Sequence, residues 1–431
     1  MTSTVDPSDV TSPPRRTATL VGIGTGHALE WYEWGIYAVF VPYFAGQFFA
    51  GGSQMTDVLA SLAVFAVGFA ARPLGGLVFG RIADRVGRRT ALSATVSAIA
   101  VASFVIGICP TYAQIGLVAP LILVAARIMQ GLACGGELPS AQTYLAEYAP
   151  GARRGQWSSL IYIASVFGNT VGVALGFALT LVLSDDQMYA WGWRVPFLVG
   201  GVLGLTALYI RRGLTETASF ESASASAEQA ESVSPWRPIW DHRRQTVQVI
   251  GLTAGLTVTY YAWVIAAPAY AITTYGVDKS AALAVTVAVS VGFMALMPFW
   301  GRLSDRIGRR PVLLISTLGA ATVLVPAQAL LSDSAGHLAL AMGLEMFFLA
   351  AGVSILPAVY AEMFPTRIRA TGLAIPYSIA VALFGGTAPY LQTWLSSISQ
   401  RAVFTGYMAL LLLVSSAVIA AMPETRAKSL D

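Results

Sequence analysis

The chain has 431 residues, 56% of them hydrophobic and only 11% charged, with a net charge of +4. A soluble domain carries about a quarter charged residues, so this chain cannot cover itself with polar surface and lipid must be its solvent. The small positive excess is no nucleic-acid signal. Cys109 and Cys134 both lie in apolar segments and suggest no disulfide framework, and the scattered His27, His242 and His337 make no metal site.

Residues 1–16 are polar and rich in Pro, Ser and Thr, which predicts a disordered N-terminus without a signal peptide. Twelve apolar stretches follow, each long enough to cross a bilayer, which takes about 20 residues. They run roughly over 18–45, 57–80, 90–110, 113–146, 157–183, 193–211, 246–274, 281–301, 311–331, 337–361, 370–395 and 402–422. All are predicted to be helices, because a backbone in lipid must satisfy its own hydrogen bonds. The Ser/Ala/Glu-rich segment within 213–245 reads as a linker between six-helix halves at 17–212 and 246–423, with a short tail at 424–431. Of the 26 Lys and Arg, 21 fall on one side of these spans, which places both termini in the cytoplasm.

One loop occurs twice. Gly80–Arg89 reads Gly-Arg-Ile-Ala-Asp-Arg-Val-Gly-Arg-Arg, and Gly301–Arg310 reads Gly-Arg-Leu-Ser-Asp-Arg-Ile-Gly-Arg-Arg. Each joins the end of one apolar span to the start of the next. Ala146-Glu147, Pro150 and Arg154 are matched by Ala361-Glu362, Pro365 and Arg369, and Leu214–Thr217 by Met422–Thr425. Repeats in the same order make the protein a duplicated membrane unit.

These features resemble the major facilitator superfamily. Glu30-Trp31-Tyr32, Arg72-Pro73-Leu74-Gly75-Gly76, Gln130-Gly131 with Gly135-Gly136-Glu137, Trp191–Pro196 and Ala361–Pro365 narrow the likeness to its metabolite:proton symporter family. Members of that family move 2-oxoglutarate, citrate, shikimate, proline and betaine. The resemblance implies an all-α membrane protein of twelve transmembrane helices in two pseudo-symmetric six-helix bundles, working as a monomer by alternating access in a bacterial inner membrane. Phe384–Tyr390 looks nearest the 2-oxoglutarate permease branch, so the expected cargo is a dicarboxylate carried with protons. The alternative is a zwitterionic osmolyte such as proline or betaine. A non-transporting sensor would need an added soluble domain.

Nothing in the sequence reads as an enzyme or asks for a cofactor. There is no nucleophile–base pairing and no metal cluster, and Gly22, Gly24 and Gly26 lack the strand that a dinucleotide motif requires.

Glu30 and Glu33 lie three apart on one helix near mid-bilayer and are expected to share a face. A carboxylate there is expensive and usually faces a cavity or a partner, so the pair is the candidate for proton coupling. His27 is a third candidate, or else a neutral core residue; the family usually has Asn at its position and Asp at that of Glu33. Arg72 and Arg127 are the intramembrane cations, and a guanidinium fork suits a carboxylate. Arg127 is expected in the central cavity. Arg72, read as closer to the cytoplasmic end, either contacts substrate or braces the Gly80–Arg89 loop. Tyr162, Tyr260, Tyr261 and Tyr377 are further substrate candidates, with Asn169 and Trp263 beside them, and Glu345 has no assigned role. The resemblance implies that Gly80, Asp84, Arg85, Gly87 and Arg88 latch the halves in an outward-open state. Asp305, Arg309, Glu147 and Glu362 are expected to help.

Overall fold

The computed structural model describes residues 13–50, 52–86, 88–135, 142, 145, 149–212, 240–365 and 369–426, leaving aside the side chains of 13–23, 77, 80–92, 210–212, 370 and 371. Among the described residues there is no strand, and twelve helical rods follow one another. The first six are α1 (Pro13–Phe48), α2 (Gln54–Val86), α3 (Arg88–Ile108), α4 (Val118–Cys134), α5 (Arg154–Val182) and α6 (Arg194–Arg212). The second six begin with α7, which starts at Arg243–Tyr260 and continues through Tyr275. Then come α8 (Lys279–Ile307), α9 (Arg309–Leu330), α10 (Ala335–Met363), α11 (Arg369–Ala380, continuing through Ser397) and α12 (Arg401–Ala421). Each overlaps one expected span. Eight helices among the described residues are long and apolar enough to cross a membrane, and the pair around α6, bent by 44°, makes a ninth.

Two rods depart from the single helices read in the sequence. In α7, π turns occupy Tyr261–Ile265 and Ala271–Tyr275; in α11, one occupies Val381–Gly385. For the turns at Tyr261–Ile265 and Val381–Gly385 the cause is visible downstream. Pro268 and Pro389 each open a new helical piece, and a proline donates no hydrogen bond to the turn before it. Helix α7 also starts at Arg243, inside the segment read as linker.

The halves meet along α5 and α8. At one end Gly155 of α5 lies on Gly301 of α8, where an added Cβ would come within 2.8 Å of the opposing carbonyl oxygen. At the other end Gly176 faces Leu283. The first glycine of the repeated motif therefore serves close helix approach.

The second motif glycine has another task. Gly308 joins α8 to α9 at φ +109°, a conformation that side chains rarely adopt, and the Glu424 carboxylate sits against it. Glu424 accepts the backbone N–H groups of Arg309 (2.8 Å), Arg310 (3.0 Å) and Arg426 (2.8 Å), and so caps α9. Burial pushes the Glu424 carboxyl up, but the N–H groups of Arg309, Arg426 and Arg310 hold it below the usual carboxylate range. A lowered folded-state value means that this cap stabilises above the ordinary carboxylate pKa and is lost as pH falls through the lowered one. Gly308→Ala is expected to cost about 1–3 kcal/mol from backbone strain alone, read as a fall in melting temperature in detergent. Gly343→Ala, where nothing stands within 4 Å, should melt near the wild type. Equal melting of the two variants would contradict this account of the turn.

Candidate functional site

Two polar networks are buried in the first half, both starting from α1. In the first, Arg72 Nη2 of α2 donates to Glu30 Oε1 at 2.9 Å. The other Glu30 oxygen lies 3.7 Å from His27 Nδ1, and His27 Nε2 is 2.7 Å from the Ser165 hydroxyl of α5. The Arg72 guanidinium rests 4.4 Å from the centre of the Phe69 ring and 4.7 Å from that of Trp34. From the second half, Tyr261 and Tyr377 lie close enough to act on Arg72 electrostatically. Arg72 thus pairs with a mid-helix carboxylate at the junction of the halves.

The second network lies within the first half. Glu33 Oε2 accepts from Ser103 of α3 in a close contact and from Gln130 Nε2 of α4 at 3.3 Å. Gln130 Oε1 accepts from Arg127 Nη1 at 2.6 Å. The Arg127 guanidinium is held 4.1 Å from the Trp34 ring and 4.2 Å from Tyr37. Glu30 and Glu33 therefore share no partner, contrary to the expected pair. Three residues of helix turn the side chain about 60° short of a full circle, enough to aim one carboxylate at α2 and the other at α3 and α4. Arg127 makes no ion pair among the described residues and reaches Glu33 only through Gln130. Trp34 stands between the two guanidiniums, and its indole N–H donates to Cys134 Sγ at 3.4 Å.

Across the junction, Trp31 of α1 packs on Tyr260 and Tyr261 with ring centres 5.4 and 6.0 Å apart, and Tyr162 of α5 packs on Tyr260 at 6.1 Å. These rings sit where α7 changes from α to π geometry. Trp31 Nε1, Trp263 Nε1 and the hydroxyls of Tyr260 and Tyr261 are buried without a hydrogen-bond partner. A buried unpaired donor costs about 1–3 kcal/mol, so this wall suits a polar guest. Tyr377 meets Tyr360 edge to face with ring centres 5.9 Å apart, and Asn169 Nδ2 donates to the Val264 carbonyl at 3.3 Å. Glu345 is buried in α10 with neither oxygen bonded.

Both ends of the junction are closed. At the arginine-rich end, Asp305 accepts the backbone N–H groups of Gly155 (2.8 Å) and Gln156 (2.9 Å), and so caps α5 of the other half while pairing with Arg309 at 2.7 Å. Glu362 accepts from Arg154 (3.0 Å), Arg309 (3.2 Å) and Thr425 (2.6 Å). Asp305, Arg309 and Glu362 are thus brought together. Arg154 is the partner that sequence reasoning left off the list, although its repeat with Arg369 was visible. Glu147 and Gly87 lie outside the described residues, as do the side chains of Gly80, Asp84, Arg85 and Arg88. At the opposite end, Lys279 of α8 pairs with Asp185 at 2.8 Å and lies 4.9 Å from the Tyr189 ring and 5.6 Å from Tyr43. Lone loop charges gave no sequence signal for that contact.

A bundle of membrane-spanning helices in two halves, closed by ion pairs at both ends over a buried polar centre, has the build of a membrane transporter. Residues 23–295 match the Major Facilitator Superfamily, and residues 215–431 match the Sugar (and other) transporter family. The chain is 35% identical over 404 residues to the alpha-ketoglutarate permease of Escherichia coli, spanning 93% of this chain and 92% of that protein. It is 34% identical over 406 residues to the proline/betaine transporter of Salmonella typhimurium, spanning 90% and 79%. Among solved structures it is similar to the proton:xylose symporter XylE, with a TM-score of 0.76 at 19% identity over 96% of this chain and 97% of that one. The chain belongs to the major facilitator superfamily, in its metabolite:proton symporter family.

Glu362→Gln removes the charge that two buried arginines share. Breaking a buried pair in this way costs about 3–5 kcal/mol, here opposed to closure of the arginine-rich end. The buried Ser158, whose hydroxyl donates to the Ser354 carbonyl across the junction, reports on that closure. In a protein with Cys109 and Cys134 replaced by alanine, a Ser158→Cys thiol is expected to react severalfold faster with a water-soluble maleimide once Glu362→Gln is added. An unchanged rate would mean that the Glu362 cluster does not hold this end shut.

Proposed function

We propose that the protein carries a small organic anion together with protons by alternating access across a bacterial inner membrane. In this reading the arginine-rich end and both termini face the cytoplasm, and one copy suffices. The observation that carries the reading is the Arg72–Glu30 pair at the junction of the halves, where the Phe69 ring lies between Arg72 and Tyr261 of the other half.

The chemistry follows from exchange of partners. An incoming carboxylate takes the Arg72 fork, and the displaced Glu30 takes a proton, so no uncompensated charge remains in the low-dielectric centre. His27, between Glu30 and Ser165, is placed to relay that proton. Glu33 remains a second proton-bearing candidate through Gln130 and Arg127. The unpaired donors of Tyr260 and Tyr261, with Tyr162 and Tyr377 beside them, supply hydrogen bonds to the rest of the cargo.

A dicarboxylate such as 2-oxoglutarate is the leading cargo, because Arg127 stands behind Trp34 with two guanidinium nitrogens unbonded and offers a second cation. The 35% identity to the alpha-ketoglutarate permease agrees with this reading. A zwitterionic osmolyte is the second reading. It is favoured by the faces of Trp31, Tyr260 and Tyr261, which suit an ammonium group while Arg72 holds the carboxylate, and by the similar identity to a proline/betaine transporter.

Proteoliposomes with an acidic exterior decide between these. Uptake of labelled 2-oxoglutarate above that of proline or betaine is expected; the reverse order would select the osmolyte. Glu30→Gln should abolish gradient-driven accumulation and keep some exchange of substrate. Arg72→Gln should raise the half-saturating concentration by about tenfold to a hundredfold, as expected for loss of a charge-assisted contact of about 1.5–3 kcal/mol, and Arg72→Lys, which keeps the charge without the fork, should fall between it and the wild type. Wild-type accumulation in Glu30→Gln would overturn the coupling assignment.

A further inference from the structure

At the arginine-rich end of the second half a cavity of about 520 Å³ opens between the start of α7, the start of α9 and the ends of α10 and α12. It stands apart from the Arg72–Glu30 site. Its floor is apolar, formed by Met363, Ala420, Ala421 and Met422, and its rim carries Arg244 and Arg310. Neither arginine makes an ion pair among the described residues; the Arg310 side chain donates only to the Ala420 carbonyl, in a close contact. The carboxylate in the cavity wall, Glu362, is already taken by Arg154, Arg309 and Thr425. Two cations over an apolar floor therefore await an anion with a greasy body.

The level of the cavity in the bilayer narrows that anion. On α7, Val247 is 64% exposed one turn inward from Arg244, and on α12 the exposed Leu413 and Val414 lie some two turns inward from Ala420. These outward apolar side chains mark hydrocarbon, and at 1.5 Å per residue the arginines stand about 5–10 Å farther out, in the headgroup layer. Trp240, 72% exposed just before α7, sits where aromatic side chains anchor at that boundary.

We propose that this cavity binds the headgroup of an anionic phospholipid, the phosphate on Arg244 and Arg310 and the glycerol end against Met363 and Met422. Basic pockets between spanning helices recognise such headgroups. The site stands apart from the Arg72–Glu30 centre, so its occupancy is readable without transport.

The test uses the full chain in a neutral detergent, with dioleoyl phosphatidylglycerol, dioleoyl phosphatidylcholine or inorganic phosphate added, read by native mass spectrometry and by melting temperature. The wild type is expected to retain phosphatidylglycerol over phosphatidylcholine and to melt higher with it. Arg244→Gln with Arg310→Gln should weaken retention by about twenty-five-fold, and Arg244→Gln alone, which breaks no contact, by about fivefold. Arg302→Gln, an exposed arginine at the same end outside the cavity, should retain lipid as the wild type does. Equal loss in Arg302→Gln, equal retention of both lipids, or the same stabilisation by inorganic phosphate would each overturn the lipid site, the last in favour of a free-phosphate site.

Discussion

A glutamate and an arginine that face each other inside a bilayer set the terms for everything else in this protein. Moving either charge alone out of water carries a penalty of several kcal/mol, and their attraction offsets it only when geometry and hydrogen bonds are good. Arg72 and Glu30 meet that condition at 2.9 Å, with His27 and Ser165 behind the carboxylate and two aromatic faces against the guanidinium. Neither can be left alone, so a change at one must be answered at the other. That reciprocity is what a coupled transporter requires of its centre.

The two mouths are built differently. The arginine-rich end is closed by buried groups: Glu362 is fully enclosed, and Asp305 ties the start of α5 to α8. The opposite end is closed by Lys279 and Asp185, whose carboxylate is largely in solvent. Exposed pairs contribute about 0–1 kcal/mol and weaken with salt, whereas breaking a buried cluster costs several. The unequal strength of the two closures means that the Lys279 end opens more readily. In the orientation proposed above, that is the outside mouth.

The spans were legible because runs of apolar residues and the placement of arginine are one-dimensional signals. The duplicated loop was legible for the same reason, and in its second copy Gly301 makes a close helix contact and Gly308 a positive-φ turn. Pairing was not legible. Arg72 and Glu30 are 42 residues apart, and whether they meet depends on the rotation of α1 and α2 about their axes. The same rotation separates Glu33 from Glu30 and sends it to Ser103 and Gln130. The π turns at Tyr261–Ile265 and Val381–Gly385 had a readable cause in Pro268 and Pro389, yet the packing of Tyr260 and Tyr261 on Trp31 needed the neighbouring helix to be seen. The cross-half contacts of Arg154 and of Lys279 depend on the way two halves close, which neither half encodes alone.

The central claim is that a cargo carboxylate and a proton exchange places on Arg72 and Glu30. Proton uptake on substrate binding tests it most directly: purified protein in weakly buffered detergent near neutral pH, a pH-indicating dye, and addition of the transported acid already neutralised. The account predicts that the wild type takes up about one proton for each anion bound, while Glu30→Gln binds the anion and takes up none. Binding by the wild type without proton uptake, or equal uptake by both proteins, would contradict it.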